Sequence, residues 1–129
     1  GIPCLYYGSE WGEPGEKAPD NDYALRPFFD APKPNELTDF LQTLIQIRKS
    51  SAALCNGSYR NVVIQNHQLI FERRTETEQI FVAINASDAP YTAYHGELSG
   101  AAKDLITQTE ITMEGNLEMP PYSVQYVKL

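Results

Sequence analysis

The fold of this chain is decided by its first ten residues, Gly1-Ile2-Pro3-Cys4-Leu5-Tyr6-Tyr7-Gly8-Ser9-Glu10. Residues 2–7 are apolar or aromatic without polar alternation, which predicts a strand buried on both faces, as in a parallel sheet flanked by helices. Pro3 and the adjacent tyrosines disfavour a helix. In a parallel barrel the loop after such a strand faces the active site, where we expect Glu10 and Trp11. Because the β-then-α pattern is not repeated, we expect this chain to be the end of a larger protein.

Composition favours a folded domain and excludes several kinds of partner. The 129 residues are 42% hydrophobic and 11% aromatic, which is enough for a core. Seventeen acidic and ten basic residues give a net charge of −7, which disfavours nucleic acid and anionic membranes as partners and leaves neutral sugars open. No apolar run approaches the ~20 residues of a membrane-spanning helix. A targeting segment would lie upstream of Gly1, so cytoplasmic and secreted locations both stay open.

The two cysteines and two histidines give little support to a disulfide or a metal site. Cys4 lies in the predicted strand and Cys55 at a helix-to-strand junction, and no spacing motif links them. We expect two buried free thiols, with a disulfide in an oxidising compartment as the alternative. His67 and His95 are far apart and have no ligand cluster, so we expect no metal site and assign both to turns or the surface.

A long loop and an amphipathic helix follow the first strand. Residues 11–33 contain six glycines and prolines but also aromatic and charged side chains, which predict an ordered loop rather than a solvated linker. Asn35 provides an N-cap, and Glu36 and Asp39 lie in the first turn, where the helix dipole favours acids. Apolar residues at spacings of three and four continue to a basic last turn at Lys49. We expect this helix of about four turns to pack against a sheet.

From Gly57 onward the period changes from 3.6 residues to 2, and turn signals arrive at short intervals. Short strands with tight connections predict an antiparallel sandwich or barrel. The continuous apolar segment 80–84 is the predicted central strand. A longer break is expected at 95–101 and a turn at 115–116. The seven predicted strands are 58–64, 68–73, 79–85, 91–94, 104–107, 110–113 and 122–127.

Five segments carry motifs that occur together in one enzyme family. Residues 1–10 fit the pattern Gly-x-Pro-x-x-Tyr-Tyr-Gly-x-Glu at every fixed place, and residues 20–27 form an acidic loop with an Arg-Pro pair. The helix ends in Leu-Ile-Gln-Ile-Arg-Lys at 44–49, followed by Ala-Leu-Cys-Asn-Gly at 53–57, and residues 119–124 are Met-Pro-Pro-Tyr-Ser-Val. In kind and order these segments resemble the C-terminal end of the α-amylase superfamily of glycoside hydrolases.

The resemblance implies a parent enzyme that hydrolyses α-glucosidic bonds with retention, using a nucleophile, an acid/base and a third carboxylate. A retaining mechanism requires the first two carboxyl groups about 5 to 5.5 Å apart. In the family these acids lie on barrel strands upstream of Gly1, so we expect no catalytic residue in this chain. Ser9 and Leu25 depart from the residues of some relatives, which leaves the substrate preference open. No cofactor is expected in the chain itself, and calcium in the parent stays open.

The same resemblance implies a mainly β fold in two parts. Residues 55–129 would form an antiparallel β-sandwich of the amylase C-terminal type. Residues 1–54 would form one strand, a long loop and a helix from the end of a (β/α)8 barrel. We expect the sandwich to shield and stabilise the barrel, and the partner of the parent to be an α-glucan such as starch or a maltooligosaccharide.

Three residues near the barrel mouth are candidates for substrate binding: Tyr7, Glu10 and Arg26. Tyr7 either lines a pocket or packs at the end of a strand with its hydroxyl satisfied. Glu10 either orients a sugar hydroxyl or forms a salt bridge. Arg26 either binds substrate or locks the long loop in place.

Two alternatives come from other functional classes. The chain could be a free-standing carbohydrate-binding β module, with a sugar platform built from the tyrosines of its β part, although their spacing does not differ from ordinary strand propensity. The unpaired strand at 2–7 could instead drive oligomerisation, because an unpaired apolar strand is a template for association. The platform candidates are Tyr59, Tyr91, Tyr94, Tyr122 and Tyr126.

Overall fold

The division of the chain into two units falls inside its longest helix, α1 (Glu36–Ser50). A computed structural model describes residues 2–129. One unit ends at Ile45, and the second begins at Gln46, so the last turn of α1 belongs to the second unit.

The predicted strand at residues 2–7 is wrong, because these residues adopt no regular secondary structure. The side chains of Ile2, Leu5 and Tyr6 are exposed instead of buried. A parallel strand obtains its hydrogen bonds from neighbouring strands, and no strand of the first unit lies beside it in the part of the chain that the structure describes. The first unit contains two short 3-10 turns, Ser9–Trp11 and Tyr23–Leu25, before α1. Oligomerisation through residues 2–7 stays a prediction, without a preformed strand to support it.

Helix α1 begins and ends where its sequence signals predict. The side-chain oxygen of Asn35 accepts a hydrogen bond from the Thr38 N–H at 3.2 Å, which caps the first turn. Glu36 and Asp39 lie in that turn, and the last turn carries two basic residues. Within the second unit, Ile47 of the last turn packs against the sheet. The predicted helix is therefore confirmed, whereas the packing of its apolar face against a sheet stays a prediction, because Leu37, Phe40 and Ile45 are exposed.

The second unit contains one further helix and six strands. They are α2 (Ala52–Asn56), β1 (Ser58–Ile64), β2 (Gln68–Arg74), β3 (Gln79–Asn85), β4 (Tyr91–Asp104), β5 (Glu110–Met119) and β6 (Ser123–Lys128). The strands form one antiparallel sheet in the order β1-β2-β3-β6-β4-β5. The mainly β, antiparallel architecture is confirmed, as is the central position of 80–84, which pairs with β2 on one side and β6 on the other.

The sequence predicts seven strands and the structure has six, because the predicted strand at 104–107 does not form, and β4 and β5 are longer than expected. β4 continues through the predicted break at 95–101, and β5 continues through 115–116, while residues 105–107 form a turn. The ladder between β4 and β5 is irregular between Tyr94 and Ser99. Gly100 and Gly115 have φ angles of 112° and 84°, which only glycine adopts readily. Here glycine permits distortion inside a strand instead of ending it.

The apolar segment of β3 supplies two cores because successive side chains point to opposite faces of the sheet. Phe81 and Ala83 join a cluster with Ile70 and Val127 on one face. Ile80 and Val82 join a second cluster on the other face. Full burial of a large apolar side chain contributes roughly 1.5–3 kcal/mol. A strand that is apolar throughout is therefore required at this place in the fold.

The second core is closed by α2. Ala53 and Leu54 are buried against Ile80 and Val82, and Ile47 lies at the edge of the same cluster. The residues that connect α1 to the first strand therefore cover one face of the sheet.

Both cysteines are free, as predicted, but both are exposed, so the prediction of buried thiols is wrong. Cys4 lies in the segment that forms no strand, and Cys55 lies in α2 with its sulfur 3.1 Å from the Arg48 carbonyl. His67 lies exposed in the β1–β2 turn, and His95 is half-buried in β4. Among residues 2–129, no cluster of three or more His, Cys, Asp or Glu side chains has the geometry of a metal site. Within the same range no helix is both long and apolar enough to cross a bilayer.

Candidate functional site

One of the three candidate sugar-binding residues, Tyr7, borders a cavity in the first unit. That cavity has a volume of about 110 Å³, well below the roughly 300–1,000 Å³ of small-molecule sites. Neither Glu10 nor Arg26 is among the described residues that line it. Its lining includes Tyr6, Tyr7, Gly8, Glu13, Leu25 and Pro27.

Tyr7 belongs to a small group of aromatic rings. Its ring centroid lies 4.6 Å from that of Tyr6 and 5.9 Å from that of Phe29, which also meets Trp11 edge-on at 5.1 Å. Desolvation, and then the neighbouring Tyr6, raise the pKa of Tyr7 above its ordinary value, so its hydroxyl stays neutral at physiological pH. The indole nitrogen of Trp11 is buried without a hydrogen-bond partner among residues 2–129.

Glu10 and Arg26 make few interactions through their charged groups. The Glu10 carbonyl accepts a hydrogen bond from the Thr38 hydroxyl at 2.7 Å, which fixes the backbone but not the carboxylate. Arg26 is largely exposed and lies 3.9 Å from the Asp22 carboxylate, in an ion pair too exposed to contribute much. Substrate binding by Tyr7, Glu10 and Arg26 stays a prediction.

The long loop is held by contacts between its two ends. Lys33 contacts the Glu13 carboxylate at 3.2 Å and lies over the Phe29 ring at 5.2 Å. The Asn35 side chain donates to the Trp11 carbonyl at 2.9 Å. These contacts agree with the ordered loop that its aromatic and charged residues predict.

In the second unit the most strongly perturbed acid is Glu78, in the turn before β3. One carboxylate oxygen accepts hydrogen bonds from the Ser51 hydroxyl and the Ala53 N–H, both at 2.8 Å. The other accepts from the Lys128 ammonium at 2.8 Å. We refer to Ser51, Ala53, Glu78 and Lys128 as the Glu78 cluster. It joins the start of α2, the start of β3 and the end of β6.

The electrostatics of the Glu78 cluster keep its carboxylate ionised. Burial alone would raise the pKa of Glu78, but the hydrogen bonds from Ala53, Lys128 and Ser51 outweigh that effect and lower the pKa to about 2. The Ser51 hydroxyl also accepts from the Leu54 N–H at 3.0 Å and so caps α2. Ser51 followed by a short helical segment is an N-cap signal in the sequence, but nothing in the sequence indicates its partner Glu78, 27 residues later.

A second buried polar residue, Asn85 at the end of β3, fastens the turn before β6. Its amide nitrogen donates to the carbonyls of Ala89, Met119 and Pro120 at 2.9–3.1 Å. Its amide oxygen accepts from the Gln68 side chain at 2.9 Å. The side chain is fully buried, and both of its polar atoms have partners.

Asp104, at the end of β4, holds the β4–β5 turn in place through hydrogen bonds to its side chain. Its carboxylate accepts from the Ile106 and Tyr126 N–H groups, both at 3.1 Å, and from the Thr107 hydroxyl at 2.9 Å. Because Asp104 is buried and its carboxylate accepts these three hydrogen bonds, we assign it a structural role.

The sheet also borders a cavity of about 470 Å³, lined by residues of β5 and by Gln125 of β6. Its lining includes Thr112, Met113, Asn116, Leu117, Glu118 and Gln125. The amide oxygen of Gln125 is buried and has no hydrogen-bond partner among residues 2–129.

Comparison with known families identifies the sheet and its connecting turns. Residues 56–128 match the family described as alpha amylase, C-terminal all-beta domain. This chain belongs to that family. We call residues 56–128 the amylase C-terminal domain, and they contain all six strands, Glu78, Asn85 and Asp104. The resemblance drawn from the sequence motifs is confirmed.

The chain is similar to parts of several larger proteins. The chain is 34% identical over 99 residues to a cyclomaltodextrin glucanotransferase of Klebsiella oxytoca, covering 69% of this chain and 14% of that protein. It is 29% identical over 118 residues to a cyclomaltodextrinase of Thermoanaerobacter pseudethanolicus, covering 91% and 20%. An Anoxybacillus α-amylase has the same fold, with a TM-score of 0.75, 24% identity and coverage of 95% and 28%. The chain spans a fifth or less of the length of the first two relatives.

The tyrosines of the amylase C-terminal domain do not share one environment. Tyr91 packs against the first core and Tyr126 against the second. Tyr59 is exposed and stacks on Phe71, with a centroid distance of 5.0 Å, and Tyr94 and Tyr122 are exposed on other strands or turns.

Proposed function

We propose that this chain serves as the C-terminal part of a retaining glycoside hydrolase that acts on α-glucans, and that its sheet has a structural, stabilising role without catalysis of its own. The family match over residues 56–128 supports the assignment to this class of protein. The names of the two relatives, a cyclomaltodextrin glucanotransferase and a cyclomaltodextrinase, support an α-glucan as the substrate of the whole enzyme.

The observation that carries the structural role is the Glu78 cluster. An ionised carboxylate with little solvent exposure is stable only when it is paired and hydrogen-bonded, and Glu78 has three donors. Two of these donors, Ser51 and Ala53, directly follow the end of α1. The cluster therefore fixes the segment after α1 to the start of β3 and the end of β6, the two central strands of the sheet, and this attachment supports a structural role.

The hydrogen bonds made by the buried acids support the proposal that this chain has no catalytic activity of its own. A glycosidase needs two carboxyl groups that face a common substrate, one of them free to give up a proton. The Glu78 and Asp104 carboxylates each accept three hydrogen bonds from groups of the second unit. Glu72 is bound by Arg60 at 3.0 Å and by Gln79 at 2.7 Å. Each of these carboxylates is hydrogen-bonded within the fold and has a structural role.

The exposed apolar side chains of the first unit support the proposal that it forms part of a larger catalytic domain. Large apolar side chains are normally buried, and a contiguous exposed group of them marks a contact surface. Many of those exposed in this chain lie before Gln46, including Ile2, Leu5, Tyr6, Phe28, Leu37 and Phe40. A barrel of which residues 2–45 form a part would cover these side chains.

The test compares the complete product of the source gene with the 129-residue chain. We expect the complete protein to hydrolyse maltotriose with retention at the anomeric carbon, followed by proton NMR of the first product, and the chain alone to show no turnover. In the complete protein, Glu78→Gln should lower the Tm and leave the KM unchanged, whereas Glu76→Gln in the same turn should change neither. Turnover by the chain alone, or an unrelated domain upstream in the gene, would overturn the proposal.

A further inference from the structure

Helix α2 ends at Asn56, and Gly57 follows it, the one place in the chain where glycine follows asparagine. In this dipeptide the glycine nitrogen can attack the asparagine side chain, because glycine has no Cβ to hinder the approach. Asn56 is exposed, so water reaches its side-chain amide. The groups needed for a spontaneous modification are therefore present at the end of α2.

The reaction converts asparagine to an acid with water as the only co-reactant. The Gly57 nitrogen forms a bond to Cγ of Asn56, the bond from Cγ to Nδ2 breaks, and the amide nitrogen leaves as ammonia with the proton of the Gly57 N–H. Water then opens the resulting succinimide ring at one of its two carbonyls. The product is aspartate, or isoaspartate, in which the main chain runs through the side chain. No atom is oxidised or reduced.

The folded structure opposes the first step at the Gly57 nitrogen. This N–H donates to the Ala53 carbonyl at 2.9 Å and so closes the last turn of α2. Asn56 belongs to the helix, whereas closure of the succinimide ring requires a backbone ψ angle far from the helical value. The ring can therefore form only after the end of α2 has opened.

Two arginines hold the backbone at the end of α2 closed. The Arg73 guanidinium donates to the Gly57 carbonyl at 2.8 Å and to the Ser58 carbonyl at 3.1 Å. The Arg48 guanidinium donates to the Leu54 carbonyl, inside the helix. Opening of this end requires the loss of several of these hydrogen bonds together.

The Glu78 cluster holds the start of α2. The Glu78 carboxylate binds Ser51 and Ala53, and the Ser51 hydroxyl caps the helix at the Leu54 N–H. A helix of five residues has little stability of its own, so these contacts decide how often it opens. When opening and closing are fast relative to a chemical step, the observed rate of that step follows the population of the open form.

We propose that Asn56 is a site of spontaneous deamidation and isomerisation, and that the Glu78 cluster sets its rate by holding α2 closed. The products keep α2 from closing again. Aspartate places a negative charge beside the last carbonyls of the helix, where the dipole disfavours it. Isoaspartate adds a main-chain atom before Gly57, whose surroundings have no room for an added Cβ. The modification is therefore one-way, and it is independent of the activity of the complete protein.

The first experiment incubates the 129-residue chain at mildly alkaline pH and measures the conversion of Asn56 over time. Trypsin releases residues 50–60, which contain no other asparagine, and mass spectrometry separates the amide from the acid. Methylation by a protein isoaspartyl methyltransferase measures the isoaspartate. A synthetic peptide of residues 50–60 gives the rate without the fold. We expect the folded chain to react at least tenfold more slowly than the peptide, and equal rates would overturn protection by α2.

The decisive variants are Glu78→Gln and Ser51→Ala, which loosen the start of α2 without changing Asn56 or Gly57. We expect each to raise the rate of conversion about tenfold over that of the parent, toward the rate of the free peptide. Glu76→Gln, in the same turn as Glu78, is the matched control and should react as the parent does. Unchanged rates in both loosened variants would overturn the proposal.

Asn85→Ala separates opening of α2 from unfolding of the whole sheet. Asn85 lies at the end of β3 and binds Ala89, Met119 and Pro120, so its loss weakens the sheet without touching α2. We expect Asn85→Ala to convert Asn56 at the rate of the parent. An acceleration equal to that of Glu78→Gln at the same loss of Tm would show that the reaction follows global unfolding, and would overturn the role of the cluster.

Asn56→Gln tests the site itself, because the longer side chain closes the corresponding ring much more slowly. We expect this variant to show no conversion in residues 50–60 over the same incubation. The Tm of the incubated parent should fall as conversion proceeds, whereas the Tm of incubated Asn56→Gln should stay constant. An equal fall of Tm in both proteins would overturn the claim that the products keep α2 open.

Discussion

The Glu78 carboxylate and the Lys128 ammonium lie 2.8 Å apart, although 50 positions separate them in the sequence. The same carboxylate reaches back to Ser51 and Ala53. A single side chain therefore connects the start of α2 with the end of β6.

Replacing Glu78 by glutamine should destabilise the second unit. The amide keeps one acceptor but loses the charge that binds Lys128, and its NH2 group faces donors that need an acceptor. Hydrogen bonds to charged groups are worth about 1.5–3 kcal/mol, and we expect a loss in the free energy of unfolding of that size, measured by urea denaturation. Glu76→Gln in the same turn is the control and should stay within about 0.5 kcal/mol of the parent. Equal stabilities of the two variants would contradict a structural role for the cluster.

The stability of the second unit should fall as the pH is lowered through the titration of Glu78. The pKa of this group is lowered in the folded state, to about 2 from its ordinary value of 4.5. Its contribution is therefore fully present above about pH 5 and is lost between there and pH 2. With 1.36 kcal/mol per pKa unit, the contribution is on the order of 3 kcal/mol.

Urea denaturation at a series of pH values measures this effect. We expect Glu78→Gln to have a flatter dependence between pH 5 and pH 2 than the parent, and Glu76→Gln to follow the parent. The pKa of Glu97 is lowered by its hydrogen bond to Arg60, so this group also makes stability depend on pH. Both variants keep this smaller effect. A parent whose stability does not change over this range would contradict the low pKa of Glu78.

Gly57 should not tolerate a side chain. A Cβ at this position would lie 2.5 Å from the Ala53 carbonyl oxygen and 2.8 Å from the Arg74 carbonyl oxygen, and both are backbone atoms that cannot move aside cheaply. Overpacking of this kind costs about 1–3 kcal/mol, so we expect Gly57→Ala to lower the Tm by several degrees, measured by circular dichroism. Gly96 has open space at the same position and a negative φ, so Gly96→Ala should be neutral or slightly stabilising.

Asn85→Asp should be among the most damaging single changes in the sheet. The Asn85 amide nitrogen donates to three carbonyl oxygens, and a carboxylate there would face those oxygens with a buried negative charge. We expect a loss of more than about 3 kcal/mol or failure to fold at neutral pH. Asn85→Ala, which removes the donor without adding charge, should fold with a smaller loss, and Asn66→Asp in the exposed β1–β2 turn should be neutral. An Asn85→Asp protein as stable as Asn66→Asp would contradict this role.

The first three strands can be predicted from the sequence because local signals determine them. β1, β2 and β3 are joined by short polar turns, and their predicted bounds agree with the structure within one residue. The prediction ends β4 at residue 94 and β5 at residue 113, before the breaks that contain Gly100 and Gly115, whereas the long hairpin accommodates both glycines as distortions. The strand at 2–7 is predicted from its apolar composition, but a strand forms only when neighbours supply its hydrogen bonds.

The candidate sites are less predictable because their residues meet only in the folded chain. Ser51, Glu78 and Lys128 lie in three separate elements, and no periodicity relates them. Tyr7, Glu10 and Arg26 are candidates because the family resemblance implies a position near a barrel mouth, and that position stays a prediction.

The position of α2 has a practical consequence for anyone who isolates the sheet. The family match begins at residue 56, but Ala53 and Leu54 fill one core and Ser51 binds Glu78. An expression boundary drawn at the start of the match would leave Ile80 and Val82 facing water and would deprive Glu78 of two of its three donors. A stable recombinant sheet therefore requires a start before Ser51, and a start at Gln46 would also keep Ile47 at the edge of this core.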